Sequence, residues 1–121
     1  MPSVADIVLF SRNQAEVEAT KAAAEGLLSG SGAQTVQNFY SDGSGQFHAG
    51  IWSGEVGSWK VRYTEHEFCT LLAGRVKLTD ESGASMEIAA GEHFVIPAGF
   101  NGVWTVLEPA RKTYVIFEQA K

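Results

Sequence analysis

Residues 64–74 read TEHEFCTLLAG and set Glu65, His66, Glu67 and Cys69 almost side by side. Carboxylates, imidazoles and thiolates are the side chains that ligate metal ions, and the first two also move protons in acid–base catalysis. No other stretch of the chain is as dense in such groups. Successive side chains of an extended strand, however, point to opposite faces. Glu65, Glu67, Cys69 and Leu71 then share one face, and His66, Phe68 and Thr70 the other. The four groups converge on one ion only across a bend. Glu-x-Glu-x-Cys alone mixes hard carboxylates with a soft thiolate and has no imidazole on that side. Two readings stay open from these residues: a metal or catalytic cluster, and a strand whose polar side is solvated or internally paired.

The elements that must position this segment are mostly short strands. From residue 34 onward the apolar period is two, in QTVQNFY, QFHAGIW, SWKVRY, FCTLLAG, RVKLT, SMEIA, HFVIP, GVWTVLE and TYVIFE. Turn signals separate many of them: DGSG at 42–45, SGEVG at 53–57, DESG at 80–83, AAGE at 89–92 and PAGFNG at 97–102. Roughly nine short strands without intervening helices predict an all-β antiparallel sandwich or barrel. The first third differs. Asn13 followed by Glu16 has the pattern of a helix N-cap with its reciprocal acid, and QAEVEATKAAAEGLL supplies strong helix formers up to Leu28. Val17, Ala24, Leu27 and Leu28 form only a thin apolar stripe. The expectation is a short outer helix ended by SGSG at 29–32, giving an N-terminal extension over 1–33 and a β-barrel domain over 34–121.

Two spacings give this β domain a family resemblance. Glu67 is followed after six residues by Gly74, and Gly91 after five by Pro97-Ala98-Gly99. Glu-x6-Gly and then Gly-x5-Pro-x-Gly resemble the two motifs of the cupin superfamily, whose fold is a double-stranded β-helix, or jelly-roll barrel. Over about residues 46–118 the chain is similar to the cupin-3 group, which includes ureidoglycine aminohydrolases and ethanolamine-utilisation cupins. The matching stretches are AGIWSGEVGSWKVRYTEHEFCTLLAGRVKLTD, GEHFVIPAGFNGVWTVLE and RKTYVIFE.

The departures from that pattern shape the functional expectation. A metal-binding cupin carries His-x-His shortly before its glutamate; here Val61 and Tyr63, or Lys60 and Arg62, stand at those positions. The histidine expected three residues after Gly99 is Gly102. Of four usual ligands only Glu67 remains, and a protein site for zinc, iron, manganese or nickel needs three or four donors. No metal cofactor is expected, with a non-standard divalent ion through His48, His93, Cys69 or Glu65 left open. The resemblance implies a cup in which Glu67 is the candidate acid or base, paired with Tyr63, Lys60 or Arg62. Tyr63, Glu67, Cys69, Trp52, Phe100, Trp104 and Tyr114 form the expected ligand-binding set. Arg111 and Lys112 read as a solvated turn before the last strand.

Composition bounds the partners. A chain of 121 residues with 45% hydrophobic and 19% charged residues is one ordinary globular domain. Nine basic against fourteen acidic residues, net charge −5, leave no basic stripe for nucleic acid or for an anionic membrane surface. One cysteine excludes an internal disulfide, and the first residues lack the charged and apolar regions of a secretory signal, so a cytoplasmic protein is expected. The leading expectation is a cup that binds a small polar organic ligand. The alternatives are an enzyme acting on a small nitrogen compound, from the ureidoglycine aminohydrolase resemblance, and a non-catalytic dimeric module; a homodimer is expected in any case.

Overall fold

The structure, a computed structural model, describes residues 1–120; Lys121, where the expected barrel domain ends, lies outside them. Nine antiparallel strands form one sheet among the described residues: β1 (Glu18–Lys21), β2 (Leu27–Gly30), β3 (Ala33–Ser41), β4 (Phe47–Gly54), β5 (Gly57–Arg62), β6 (His66–Asp80), β7 (Ser85–Ala89), β8 (His93–Ile96) and β9 (Asn101–Phe117). The predicted runs FCTLLAG and RVKLT are one strand, β6, and GVWTVLE and TYVIFE are another, β9. These two pair along almost their whole length, from His66 opposite Phe117 to Asp80 opposite Gly102.

This ribbon is folded over at its middle. Its register shifts three times between Leu71 and Val76. Gly74 there has φ +84, and a Cβ on it would strike the Pro109 carbonyl oxygen and lie 2.8 Å from that of Glu108. Only glycine takes that conformation and that approach without strain. Pro109, which has no N–H to donate, falls between the part of β9 that pairs with β4 and the part that pairs with β5. The fold-over makes two layers from one sheet. The first runs β8, β6 (66–71), β9 (111–117), β4, β3, β1; the second runs β7, β6 (75–80), β9 (101–106), β5, β2. Their inward side chains meet in one core: Trp52 of the first layer and Trp104 of the second lie edge to face with ring centroids 5.5 Å apart. Leu71, Val76 and Val106 are fully buried beside them.

The expected N-terminal helix is absent. Residues 24–26 make a short 3-10 turn, residues 18–21 and 27–28 belong to β1 and β2, which pair with β3 and β5, and the remainder is irregular. Asn13 faces backwards, its Oδ1 accepting from the Leu9 N–H at 2.8 Å, so it caps nothing downstream. The cause lies in the thin stripe: Val17 and Leu28 are exposed even now, and an isolated helix with so little to bury is marginal in water. Pairing with β3 and β5 gives β1 and β2 sheet hydrogen bonds without requiring an apolar stripe to bury. Phe10 stacks on Phe39 at 4.4 Å and fixes the preceding segment to β3. No helix of the described residues is long and apolar enough to cross a membrane.

Candidate functional site

Period-two alternation directs a polar set into the space between the layers. On β6 the inward residues are Glu67, Cys69 and Leu71, all buried, while His66 and Phe68 are exposed. On β9 they are Lys112, Tyr114 and Ile116, on β5 Trp59 and Val61 with Tyr63 just beyond, and on β3 Gln34, Val36 and Asn38. These side chains, with His48 and Trp52 of β4 and Trp104 of β9, enclose a cavity of about 400 Å³. A wider groove of about 760 Å³ runs along β1, β3, the end of β4 and the Pro109 corner, and includes no buried ion pair.

The floor of the cavity is an ion pair. Lys112 Nζ donates to Glu67 Oε2 at 2.7 Å, and both residues are buried, at 4% and 6% exposure. Burial is the largest single influence and works against the Lys112 charge, but Glu67, Tyr63 and Cys69 together outweigh it and hold the lysine pKa above its ordinary value. The ammonium also lies 4.6 Å from the Trp104 ring centroid and 5.2 Å from that of Trp52, so both indoles share its charge. Cys69 Sγ donates to the same carboxylate oxygen at 3.2 Å. Burial first, opposed by Lys112 and assisted by Glu67, pushes that thiol up to about 12, so it is a proton-bearing donor at neutral pH and a poor nucleophile. Burial also raises the phenol of Tyr63, and that of Tyr114 to about 12.

The walls are fixed by further hydrogen bonds. Tyr114 Oη donates to Asn38 Oδ1 at 2.8 Å, reaching across β4. It can do so because Gly50 lies opposite: a Cβ there would be 2.5 Å from the Tyr114 hydroxyl and would collide with the Gln37 carbonyl. Trp52 Nε1 donates to Gln34 Oε1 at 2.8 Å. His48 is engaged through both ring nitrogens, with Ser41 Oγ at 2.7 Å and the Gly45 carbonyl at 3.0 Å. Trp104 is different. It is 2% exposed, and its indole N–H is one of two fully buried side-chain polar atoms without a partner among the described residues.

The expected site residues divide accordingly. Glu67, Tyr63, Trp52, Trp104 and Tyr114 come together around the cavity, joined by Trp59; Cys69 stands behind the carboxylate and does not line the space. Phe100 is placed elsewhere, packed 6.3 Å from Tyr63 and facing a separate hollow with Leu78, Met86 and Ile96. Lys60 and Arg62, offered as partners of Glu67, alternate with inward Trp59 and Val61 and are exposed. Lys112 is the residue that sequence reasoning missed. It read as part of a solvated turn, whereas β9 is continuous through it; counting back by two from Tyr114 would have placed it on the inner face.

The donor set does not fit a divalent metal. Glu67 Oε2 already accepts from an ammonium, and a second cation beside it would meet the Lys112 charge. Gly102 also leaves no room for the missing histidine, since a Cβ there would collide with the Thr79 carbonyl oxygen and lie 2.9 Å from the Phe100 ring. His66 and His93 bond outside the cavity, to the Ala98 N–H at 3.1 Å and Thr70 Oγ1 at 2.8 Å. Among the described residues no three His, Cys, Asp or Glu side chains gather as a metal site.

Solved structures share this architecture. A putative ethanolamine utilisation protein Q of Salmonella typhimurium matches over 88% of this chain and 98% of its own, with TM-score 0.65 and 16% identity. The EutQ protein of Clostridium difficile matches over 69% of this chain with TM-score 0.63 and 18% identity, and the chain spans only 61% of that protein. At these identities the likeness is one of fold. A DUF861 family protein of Thermotoga maritima is 39% identical over 53% of this chain and 73% of its own, with TM-score 0.52. No curated protein matches the chain. The family model described as the EutQ-like cupin domain matches residues 41–114, which takes in β4 to β9 through Tyr114 and with them the ion pair, and the chain belongs to that family.

Proposed function

We propose that the cavity between the two layers binds a small polar organic molecule, held by the Glu67–Lys112 pair and the tryptophan walls in place of a metal centre. The observation that carries this reading is the ion pair on the cavity floor. Taking both charges out of water costs several kcal/mol per ion, and a well-packed apolar pair is often as stable or more so. A fold in need of stability alone has cheaper ways to fill these two positions. Charged groups that instead line a concave, largely apolar space are what fixes the orientation of a bound ligand. Glu67 offers acceptor capacity, and Lys112, Tyr63 and Trp59 offer donors.

All three tryptophans of the chain line the cavity, so intrinsic fluorescence reports directly on its occupancy. Titrating a panel of small amides, amines and organic acids, with thermal melts in parallel, tests the proposal. At least one member should change the fluorescence and raise the melting temperature, and Glu67→Gln should weaken that response. A panel that leaves both signals unmoved sinks the reading.

A further inference from the structure

Resting on the cavity as a ligand site, we propose that its occupant is an uncharged molecule that donates an N–H or O–H to Glu67 Oε1. Three lining side chains carry carbonyl or carboxylate oxygens: Gln34, Asn38 and Glu67. Gln34 Oε1 accepts from Trp52, Asn38 Oδ1 from Tyr114, and Glu67 Oε2 from both Lys112 and Cys69. Glu67 Oε1 is left without a donor among the described residues. It is not one of the fully buried unpartnered atoms either, which are Asn101 Oδ1 and Trp104 Nε1. Glu67 is 6% exposed and lines the cavity, so the little surface it keeps includes this oxygen.

A molecule that fills the cavity shuts solvent away from Oε1. If it cannot donate, an acceptor on a charged group is left unmade inside the protein, at a greater cost than a neutral one. If it donates, the bond is charge-assisted and roughly twice as strong as one between neutral groups. Charge narrows the donor further. Lys112 Nζ lies 2.7 Å from the other oxygen of the same carboxylate, and no other Asp or Glu lines the cavity. A ligand ammonium at Oε1 would face the lysine charge across that one carboxylate, and Lys112 already lies over the rings of Trp52 and Trp104. A ligand anion would bring a like charge to Oε1. An uncharged N–H or O–H meets neither penalty.

Aniline, toluene and pyridine N-oxide are flat rings of similar size that present a donor, a methyl group and an acceptor, and benzylammonium presents a charged donor. Their calorimetric titration at neutral pH tests the assignment. Aniline should bind about tenfold or more tightly than the other three, the worth of one net hydrogen bond to a charged group. Glu67→Gln then reverses the polarity of the site. Lys112 has only N–H groups to offer, so it holds the amide oxygen and turns the amide NH2 toward the place of Oε1. Aniline should lose about tenfold in that variant, pyridine N-oxide should gain, and toluene should stay unchanged. Loss of packing alone would weaken all three together. Should the variant fold poorly, a crystal structure of the unaltered protein with aniline decides: its nitrogen should lie about 3 Å from Glu67 Oε1, and a ring placed elsewhere overturns the assignment. Equal or tighter binding of toluene or pyridine N-oxide to the unaltered protein overturns the donor, and of benzylammonium the absence of charge; each leaves the ligand site standing. An unchanged ranking in Glu67→Gln overturns the role given to Oε1. Silence from all four probes, when a panel member still binds, also counts against the donor class; silence from the whole panel removes the ligand site itself.

Discussion

The two halves of the β6–β9 ribbon are built alike and filled differently. In the first half, residues 66–71 pair with 112–117, and the inward positions carry Glu67, Cys69, Lys112 and Tyr114. In the second, residues 76–80 pair with 102–106, and the inward positions carry Val76, Leu78, Trp104 and Val106. Pairing pattern and strand count therefore do not explain where the site is. The difference is in what each half has to bury. The second half, closed by Ile88 of β7, is a dry apolar plug; the first leaves space between the layers and floors it with charge. Of the inward residues of the second half, Trp104 also lines the cavity, whereas Val76, Leu78 and Val106 do not.

Breaking each half separately should give different outcomes. Lys112→Met strands Glu67 as an uncompensated buried carboxylate and should cost about 3–5 kcal/mol in urea unfolding. Adding Glu67→Leu removes the stranded charge, and the double variant should recover most of that loss while abolishing any ligand response. If the double variant is no more stable than the single one, the pair is not acting as a coupled charge. Ile88→Ala in the plug should cost about 2–5 kcal/mol through the cavity it leaves, with ligand affinity retained.

The same contrast separates what could be read in the sequence from what could not. Alternation placed Glu65, Glu67, Cys69 and Leu71 on one face, because period two is a local property of a strand and needs no partner, but it did not say which face is buried. The spacings to Gly74 and Pro97 pointed to the fold through their resemblance to the cupin motifs, and Gly74 proves to stand at the corner where a residue of that conformation is required. Lys112 was hidden because it read, with Arg111, as a solvated turn; the strand passes through Pro109 just before them because the ribbon bends there and no ladder bond is demanded of it. The helix expected over residues 14–28 followed from intrinsic propensity, which tertiary pairing overrides when the apolar stripe is thin. Phe100 was assigned to the cup by its nearness to Gly102 in the chain, but it turns into a different hollow.

A smaller effect should come from the packing of Tyr114 over β4. Gly50→Ala places a methyl group where the Tyr114 hydroxyl and the Gln37 carbonyl now approach. The phenol must swing away and give up Asn38, at an overpacking cost of about 1–3 kcal/mol. Crystal or NMR structures of the variant should show Tyr114 displaced into the cavity, and ligand affinity should fall with it. Tyr114 remaining bonded to Asn38 would mean that the glycine is not what allows the ring to lie there.

The mildest perturbation is alkaline pH, and it too should act on the charged half. Cys69 ordinarily releases its proton near 9.0 and in the folded chain holds it to about 12; Tyr114 moves from 10.0 to about 12. Lys112 likewise keeps its proton beyond its ordinary 10.5. In each case the folded chain binds the proton more tightly than the unfolded one, so stability is fully present below the unfolded value and declines as pH rises through the folded one. Urea midpoints should be flat up to about pH 9 and then fall steadily toward 12. Because Cys69 titrates first in the unfolded chain, Cys69→Ala should delay the onset of the fall to near pH 10, where Tyr114 begins. Ile88→Ala in the plug should lower the whole curve without moving its onset. A shift of onset in that variant, or none in Cys69→Ala, would mean that the alkaline limit is set outside the cavity floor.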